Sequence, residues 1–575
     1  MKAFTEPLLS LAGFEEMTKT AEKSSGLISV TGCIDAQKSQ MIYAFGGHRK
    51  NKLIVTFGEQ KAKELYDEYS FFDKEVVYYP SKDVLFYQSD IRGNLLTAER
   101  IRALKAIREQ ERVTLVTTFD ALMNTMAPIE KMWENVLTLE QGQLLDLKEI
   151  QAALIRMGYE KEYQVQTMGQ FSVRGGILDV FPLTEENPIR IELWGDEIDT
   201  IRYFDYESQK SIENIDRVSI YPAAELVLSD EEKAGGIEKL KAEAKRVSDK
   251  LRKQMKTEEA HRVTVMADEL TEEWGELSMY AGMDAFLSYF FAERVGLLDY
   301  FNPSDSLIFF DELTRCTEQG KLTETEFSES MKQRLAMGYI LPGQMNGLFT
   351  EKEIVAKLGK YSCIALAALD NKANGLHQLG SYGIHCQSVS PYNNSFELLI
   401  KDLKRYKKNG YRVILLSGSR TRAKRLSEDI TDQGITCFYT ENYDHELFEG
   451  QIMVCYGKVR RGFEYPILKF AVITESDIFG AQQKKKKRHR TYEGEKIQSF
   501  TDLSVGDYVV HENHGLGIYR GIEKLEVDKK VKDYIKIEYQ GGSNLYILAT
   551  QLDMIQKYAG KDARKPKLNK LGGQE

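Results

Sequence analysis

The sequence has no stretch approaching the ~18 consecutive apolar residues that a membrane-spanning helix needs. Its start, MKAFTEPLLSLAGFEE, acquires acids before any apolar signal core develops. A membrane span and a secretory leader are thereby set aside, and a cytoplasmic protein is expected. Cysteine is sparse and scattered: Cys33, Cys316, Cys363, Cys386, Cys437 and Cys455 form no C-x-x-C pair. Neither a zinc clip nor a redox couple follows from that spacing, so reduced, packed thiols are expected. Positive charge is not in excess either. The 78 Lys plus Arg face 87 Asp plus Glu, a formal net charge of −9. This argues against a protein that coats nucleic acid with its whole surface, while leaving room for a local basic contact. His511 and His514 flank Glu512 in HENHG, but the spacing is not H-E-x-x-H and the context is strand-to-turn. Hydrogen bonding in a turn is expected there, and no metal.

What is present is a globular composition, 42% hydrophobic and 29% charged over 575 residues. At ~100–200 residues each, that length suggests roughly three to five domains. Residues 1–140 alternate apolar runs with helical patterns. GLISVTG, KLIVTF, EVVYYP and VTLVTT read as strands, and TAERIRALKAIREQ reads as a helix capped at Thr97, with Ala98, Ile101, Leu104 and Ile107 on one stripe. That rhythm predicts a doubly wound, mainly parallel sheet. Residues 141–223 read as a small α+β insertion: a helix in LKEIQAALIRMGYEK, then the strands FSVRGGILDVFP and IRIELWGDEIDTIRYF, the latter pair turning at Gly195-Asp196. In 224–390 a helix spaces Ile237, Leu240, Ala244, Val247 and Leu251 as a docking face within the chain. SLIFFDE and SCIALAAL follow it. Residues 391–480 repeat the strand–helix rhythm as a degenerate helicase-like unit. Residues 481–497 hold KKKKRHR, six bases in seven positions, read as a solvated linker with phosphate contact as the lesser alternative. Residues 498–560 contain short strands at close spacing, and in DYIKIEY Ile535, Ile537 and Tyr539 alternate with Tyr534, Lys536 and Glu538. A small antiparallel barrel of SH3/Tudor-like kind is expected. Residues 561–575 are polar.

Gly32-Cys33-Ile34-Asp35-Ala36-Gln37-Lys38-Ser39 follows an apolar strand and precedes a helix, the setting of a phosphate loop. Gly32, Lys38 and Ser39 are in register with G-x-x-x-x-G-K-[ST], but Gln37 stands where the second glycine should be. That glycine lets backbone N–H groups curl round phosphates. The loop therefore reads as non-binding, with residual weak nucleotide binding as the alternative. Asp311-Glu312 closes an apolar strand as a Mg²⁺-holding acidic pair would. RRGFEYP stands where a helicase would continue into a Gln- and Arg-rich motif. The whole reads as a helicase shell without its catalytic set.

KLIVTFGEQKAKELYDEYSFF, RGGILDVFP, RIELWGDEIDTIRYFD and the DE after LIFF resemble, in order, the excision-repair protein UvrB, and VVHENHGLGIYRGI resembles a CarD-like RNA polymerase interaction module. Joined in this order they resemble the bacterial transcription-repair coupling factors, across essentially the whole chain. In that family a double-stranded DNA translocase follows the barrel, and KLGGQE falls about where that motor would begin. The resemblance implies the recruitment half. It would bind stalled RNA polymerase through the β subunit and recruit UvrA, without catalytic residues, cofactor or membrane, as a monomer. ATP, Mg²⁺ and most double-stranded DNA contact would belong to the motor. Two rivals remain, an active ATP-dependent helicase using Lys38, Ser39, Asp311 and Glu312, and a transcription regulator acting through the barrel alone.

Arg190, Glu192 and Trp194 share one face of a strand whose other face carries Ile189, Ile191 and Leu193. If the isoleucines are buried, the indole is exposed beside Arg190, with Arg174 on the neighbouring strand, a composition typical of binding hot spots. The alternative is that Trp194 folds over its hairpin and the arginines pair with local acids. By resemblance, Arg174, Arg190 and Trp194 match the positions that hold UvrA. In IEKLEVDKK, Leu525 lies between Lys524 and Glu526 near a turn, where the residues alone read as an incidental surface leucine. By resemblance it falls where the family docks on polymerase, by strand addition at a sheet edge, with Ile522, Lys524 and Glu526 as further contacts.

Overall fold

The computed structural model describes residues 1–45, 49–82, 94–276, 283–369, 375–480, 494–496, 503–511, 514–527, 530–540, 542–558 and 568. The basic run 484–490 lies outside them. Seven strands form one sheet in the order Gln378–Gly383, Gly26–Thr31, Ser362–Leu366, Ser306–Asp311, Asn51–Thr56, Val113–Thr118 and Val77–Tyr79. Every pairing in it is parallel. The apolar runs read from sequence supply its centre, and the 113–118 and 306–311 strands are buried at every position, as a sheet covered on both faces requires. The helix expected to be capped at Thr97 begins earlier, at Asn94, so Thr97 lies inside its first turn. Ala98, Ile101 and Leu104 are buried as the stripe predicts.

An antiparallel pair, Leu137–Glu140 with Arg217–Ile220, forms a stem where the chain leaves this sheet and returns. Between its strands lies a six-stranded sheet in the order Ser211–Ile215, Glu197–Phe204, Ile189–Trp194, Ile177–Val180, Gln170–Arg174 and Glu160–Lys161. The helix Leu147–Arg156, capped by the Asp146 carboxylate on two backbone N–H groups, has its buried Ile150 and Leu154 in the same core as Ile189 and Ile191. After the stem, Ser229 and Glu232 close a capping box at the start of the helix Asp230–Lys253. Its stripe, with Leu240, Ala244 and Leu251 buried, packs on the helix Thr257–Glu276. The heptad-like spacing thus serves an internal hairpin.

A second α/β sheet runs Gln387–Ser388, Phe463–Tyr465, Phe470–Thr474, Arg412–Ser417, Ile452–Tyr456 and Phe438–Tyr439. Side chains alternate between its faces. Val413, Leu415, Val454 and Ile473 lie beneath the helices Phe396–Lys408 and Arg420–Asp432. Ile414, Leu416, Met453, Cys455 and Val472 join Phe4, Leu8, Met41 and Tyr69 in a core shared with the first unit. The 391–480 unit is therefore fastened to the first sheet by apolar burial.

The last region is an antiparallel sheet in the order Gly494–Lys496, Ile555–Tyr558, Tyr508–His511, Gly515–Val527, Lys530–Glu538 and Asn544–Leu548. Ile535, Ile537 and Tyr539 face its core, as their alternation predicts. The short antiparallel strands agree with the small antiparallel domain expected, and among the described residues the two edge strands, Gly494–Lys496 and Asn544–Leu548, do not pair with each other.

Candidate functional sites

The 189–194 and 197–204 strands meet at the two-residue turn Gly195-Asp196, where Glu197 pairs with Trp194. Gly195 has φ +63°, a conformation that glycine reaches without a Cβ penalty. Ile189 and Ile191 are fully buried, which turns the alternate positions outward, and Trp194 at the end of the strand is 84% exposed. The tryptophan does not fold over its hairpin. Arg190 behaves differently. Its guanidinium donates from Nε to Asp179 Oδ1 at 2.8 Å, and from Nη2 to Asp179 Oδ2 at 2.9 Å and Gln209 Oε1 at 2.8 Å. It also stacks on Phe204, 4.3 Å from the ring centroid. Asp179 and Arg190 sit directly opposite in the strand register, and Arg174 reaches the same carboxylate at 3.1 Å. The hydrogen bonds to Asp179, against some burial, hold the Arg190 guanidinium above its ordinary pKa. Only the Arg174 side chain keeps substantial exposure, at 37%. On the same face Arg202 clamps Glu192 with bonds of 2.6 and 3.2 Å, and this hydrogen bonding holds the Glu192 carboxyl below its usual range.

The surface is thus an exposed indole on a strand stiffened by two Arg–carboxylate clamps. Reading the sequence alone misses Asp179, Phe204 and Gln209, because only the strand register brings them to Arg190.

In the last sheet Leu525 lies near the end of the long 515–527 strand, opposite Lys532, and is half-buried. Ile522 is half-buried and packs against that sheet's core. Lys524 is turned inward. Its Nζ lies 3.8 Å from Asp533 and 5.1 Å from the ring centroid of Tyr339, and burial pulls its pKa down against the pull of Asp533. The side chain of Glu526 lies outside the described residues, as do Glu512 and Asn513. His511 is buried with its ring 4.8 Å from that of His514. Among the described residues no cluster of metal-ligating side chains occurs.

The phosphate-loop remnant is closed on itself. Gly32, at φ +80°, touches the 384 region so closely that a Cβ would stand 2.0 Å from the Ile384 carbonyl oxygen. The backbone N–H groups of Gly32 and Cys33 donate to the Ala368 and Ala367 carbonyls. Lys38 Nζ lies 2.6 Å from Asp311, 2.9 Å from Glu312 and 3.3 Å from Asp35. Burial alone would lower its pKa, but Asp311 and Glu312 outweigh that and hold it above the ordinary lysine range. Gln37 is fully buried and Ser39 nearly so, and neither Gln37 Oε1 nor Ser39 Oγ has a hydrogen-bond partner. On the next turn Gln40 accepts from the Tyr465 hydroxyl of the RRGFEYP segment at 3.1 Å. These residues do not fit a Mg²⁺-triphosphate, because the lysine and the acidic pair that would hold it are spent on each other.

Comparison with known proteins converges on the same regions. A sequence model of the UvrB interaction domain matches residues 137–226, which include the stem and the tryptophan hairpin, and a model of the CarD-like/TRCF RID domain matches residues 503–559, the last sheet. The chain is 31% identical over 525 residues to the transcription-repair-coupling factor of Bacillus subtilis, covering 91% of this chain and 44% of that protein. It is 30% identical over 560 residues to that of Staphylococcus haemolyticus, covering 95% and 46%. It is 29% identical over 577 residues to that of Staphylococcus aureus strain MRSA252, covering 98% and 47%. The chain spans under half the length of the curated relatives it matches. A UvrB interaction domain and a CarD-like/TRCF RID domain thus stand on one polypeptide that is, over nearly its whole length, a homologue of part of the transcription-repair-coupling factors.

Proposed function

We propose that this chain is the recruitment half of a transcription-repair coupling factor, an adaptor that holds RNA polymerase stalled at a DNA lesion and brings UvrA to it for nucleotide excision repair. The observation that carries the reading is the 84% exposed Trp194 at the tip of a clamped hairpin within the UvrB interaction domain. An apolar side chain of that size, held out by stiff strands, loses little entropy on docking and supplies a large contact. Trp194 is the anchor on UvrA and Arg174 its cationic neighbour. Arg190 positions the strand through Asp179. On the polymerase side, Leu525 and Ile522 are the contacts, reached by strand addition to the β subunit, with Glu526 beside them. Lys524 acts from within the sheet.

The same reading makes this segment no ATPase, since Lys38 is engaged by Asp311 and Glu312. ATP and Mg²⁺ serve the translocase part of the complete family protein, which also makes most of the contact with double-stranded DNA. The adaptor itself acts as a cytoplasmic monomer. The test is a UvrA pull-down with the 575-residue chain and its Trp194→Ala variant. Capture by the parent and loss in the variant is expected. Equal capture by both would refute the anchor assignment. ATP turnover by the parent chain would restore the helicase reading.

A further inference from the structure

The 391–480 unit takes no part in either docking surface, yet it concentrates charge opposite in sign to the rest of the chain. Residues 417–425, SGSRTRAKR, and 456–461, YGKVRR, hold seven bases and no acid in a protein of net charge −9. The fold puts these two segments together. Ser417 pairs with Tyr456 in adjacent parallel strands, so both loops leave the carboxyl edge of the sheet side by side, the edge where open α/β sheets bind ligands.

Three of the seven bases have acidic partners: Arg420 on Glu441, Arg422 on Glu475 and Arg460 on Glu64. The other four, Lys424, Arg425, Lys458 and Arg461, are all exposed and have no carboxylate of the described residues within 4.0 Å, although the Arg461 charge is felt by Asp477 at longer range. The bases of the 420–432 helix occupy its first turns, while Glu428, Asp429 and Asp432 lie toward its end. That order opposes the helix dipole, so these cations do not serve helix stability. Arg420 and Lys424 lie over the rings of Tyr456 and Tyr439, at 5.3 and 5.5 Å from their centroids. The cations are thereby propped outward, and the ring faces they cover are closed to stacking by unpaired bases.

We propose that this edge is a phosphate-contacting surface for the backbone of double-stranded nucleic acid, read without sequence preference. Exposed cations beside covered aromatics suit a duplex backbone better than a single strand, which needs open rings to stack on. Neutralising about four phosphates gives a slope of about −3.6 for log affinity against log salt concentration.

The test uses the 575-residue chain with its 484–490 run replaced by Gly and Ser, so that this second basic stretch cannot contribute, and a fluorescent 30-base-pair duplex of mixed sequence. Anisotropy is read from 50 to 200 mM salt, where affinity should fall about 150-fold. The triple variant Lys424→Glu, Arg425→Glu, Lys458→Glu should bind at least tenfold more weakly at 50 mM salt, with an unchanged melting transition. The milder triple Gln variant should fall between. Parent and triple variants binding alike, or no duplex binding by the parent at 50 mM salt, would overturn the proposal. Preference for a single strand of equal charge, or for polyglutamate as the mark of an acidic protein partner, would overturn it too.

Discussion

Trp194 and Arg190 stand four residues apart on one strand and do opposite work. The indole makes its energy only when a partner covers it, so Trp194→Ala should leave the melting temperature unchanged and weaken UvrA binding at least ~30-fold, the cost of losing a hot spot of ~2 kcal/mol or more. Calorimetry and a binding titration on the same samples check both halves. Asp179 is the converse case: it accepts three guanidinium N–H bonds while 1% exposed. Asp179→Ala strands the Arg190 charge, whose side chain is 11% exposed, and should cost about 3–5 kcal/mol in urea unfolding. The exposure of Trp194 was legible from the alternation of Ile189 and Ile191. The pairing of Arg190 was legible only as one of two alternatives, because choosing between them needs the register that sets Asp179 opposite it.

At the scale of elements, the strand–helix rhythm of the first 130 residues was fully legible, since buried parallel strands must be apolar along their length. The charge cluster behind the 35–44 helix was not. Gln37 announces a lost phosphate loop, but nothing in the sequence says that Lys38 will turn onto Asp311 across 273 residues. Lys38→Ala should destabilise the chain by about 3–5 kcal/mol, since it leaves Asp311, 2% exposed, with Thr56 as its remaining side-chain partner. A lowered denaturation midpoint for Lys38→Ala, with no ATP turnover before or after, is the expected result. A second buried cluster ties the return of the insertion to the first sheet: Glu225 lies 2.6 Å from Lys82 and 2.8 Å from Arg100. Burial would raise the Glu225 carboxyl, but Arg100 and Lys82 prevail and hold it at about 2. A carboxyl depressed on folding stabilises above its unfolded pKa of 4.5 and loses that contribution as pH falls toward 2. Glu225→Gln should therefore cost about 3 kcal/mol at pH 7 and flatten the decline in stability between pH 4.5 and 2, as read by denaturant titrations across that range.

At the scale of the whole molecule, the chain joins two α/β units by a shared apolar core and carries its two matched domains at separate places, one as an insertion on a two-stranded stem and one as a terminal sheet. The order of these modules was legible because each has its own local pattern. Lys524, expected as a further partner contact, also lies over Tyr339, a residue 185 positions away in sequence, a neighbour that sequence patterning does not show because it reports the face of a strand and not what packs on it. The two proposed docking surfaces have no side chain in common and should fail independently. The direct measurement is a four-way capture assay with the parent chain, Trp194→Ala, Leu525→Arg and the double variant, each offered UvrA and RNA polymerase separately. Trp194→Ala should lose UvrA and keep polymerase, Leu525→Arg should lose polymerase and keep UvrA, and only the double variant should lose both. Loss of both partners from either properly folded single variant, or loss of neither from the double variant, would contradict an adaptor with two separate grips.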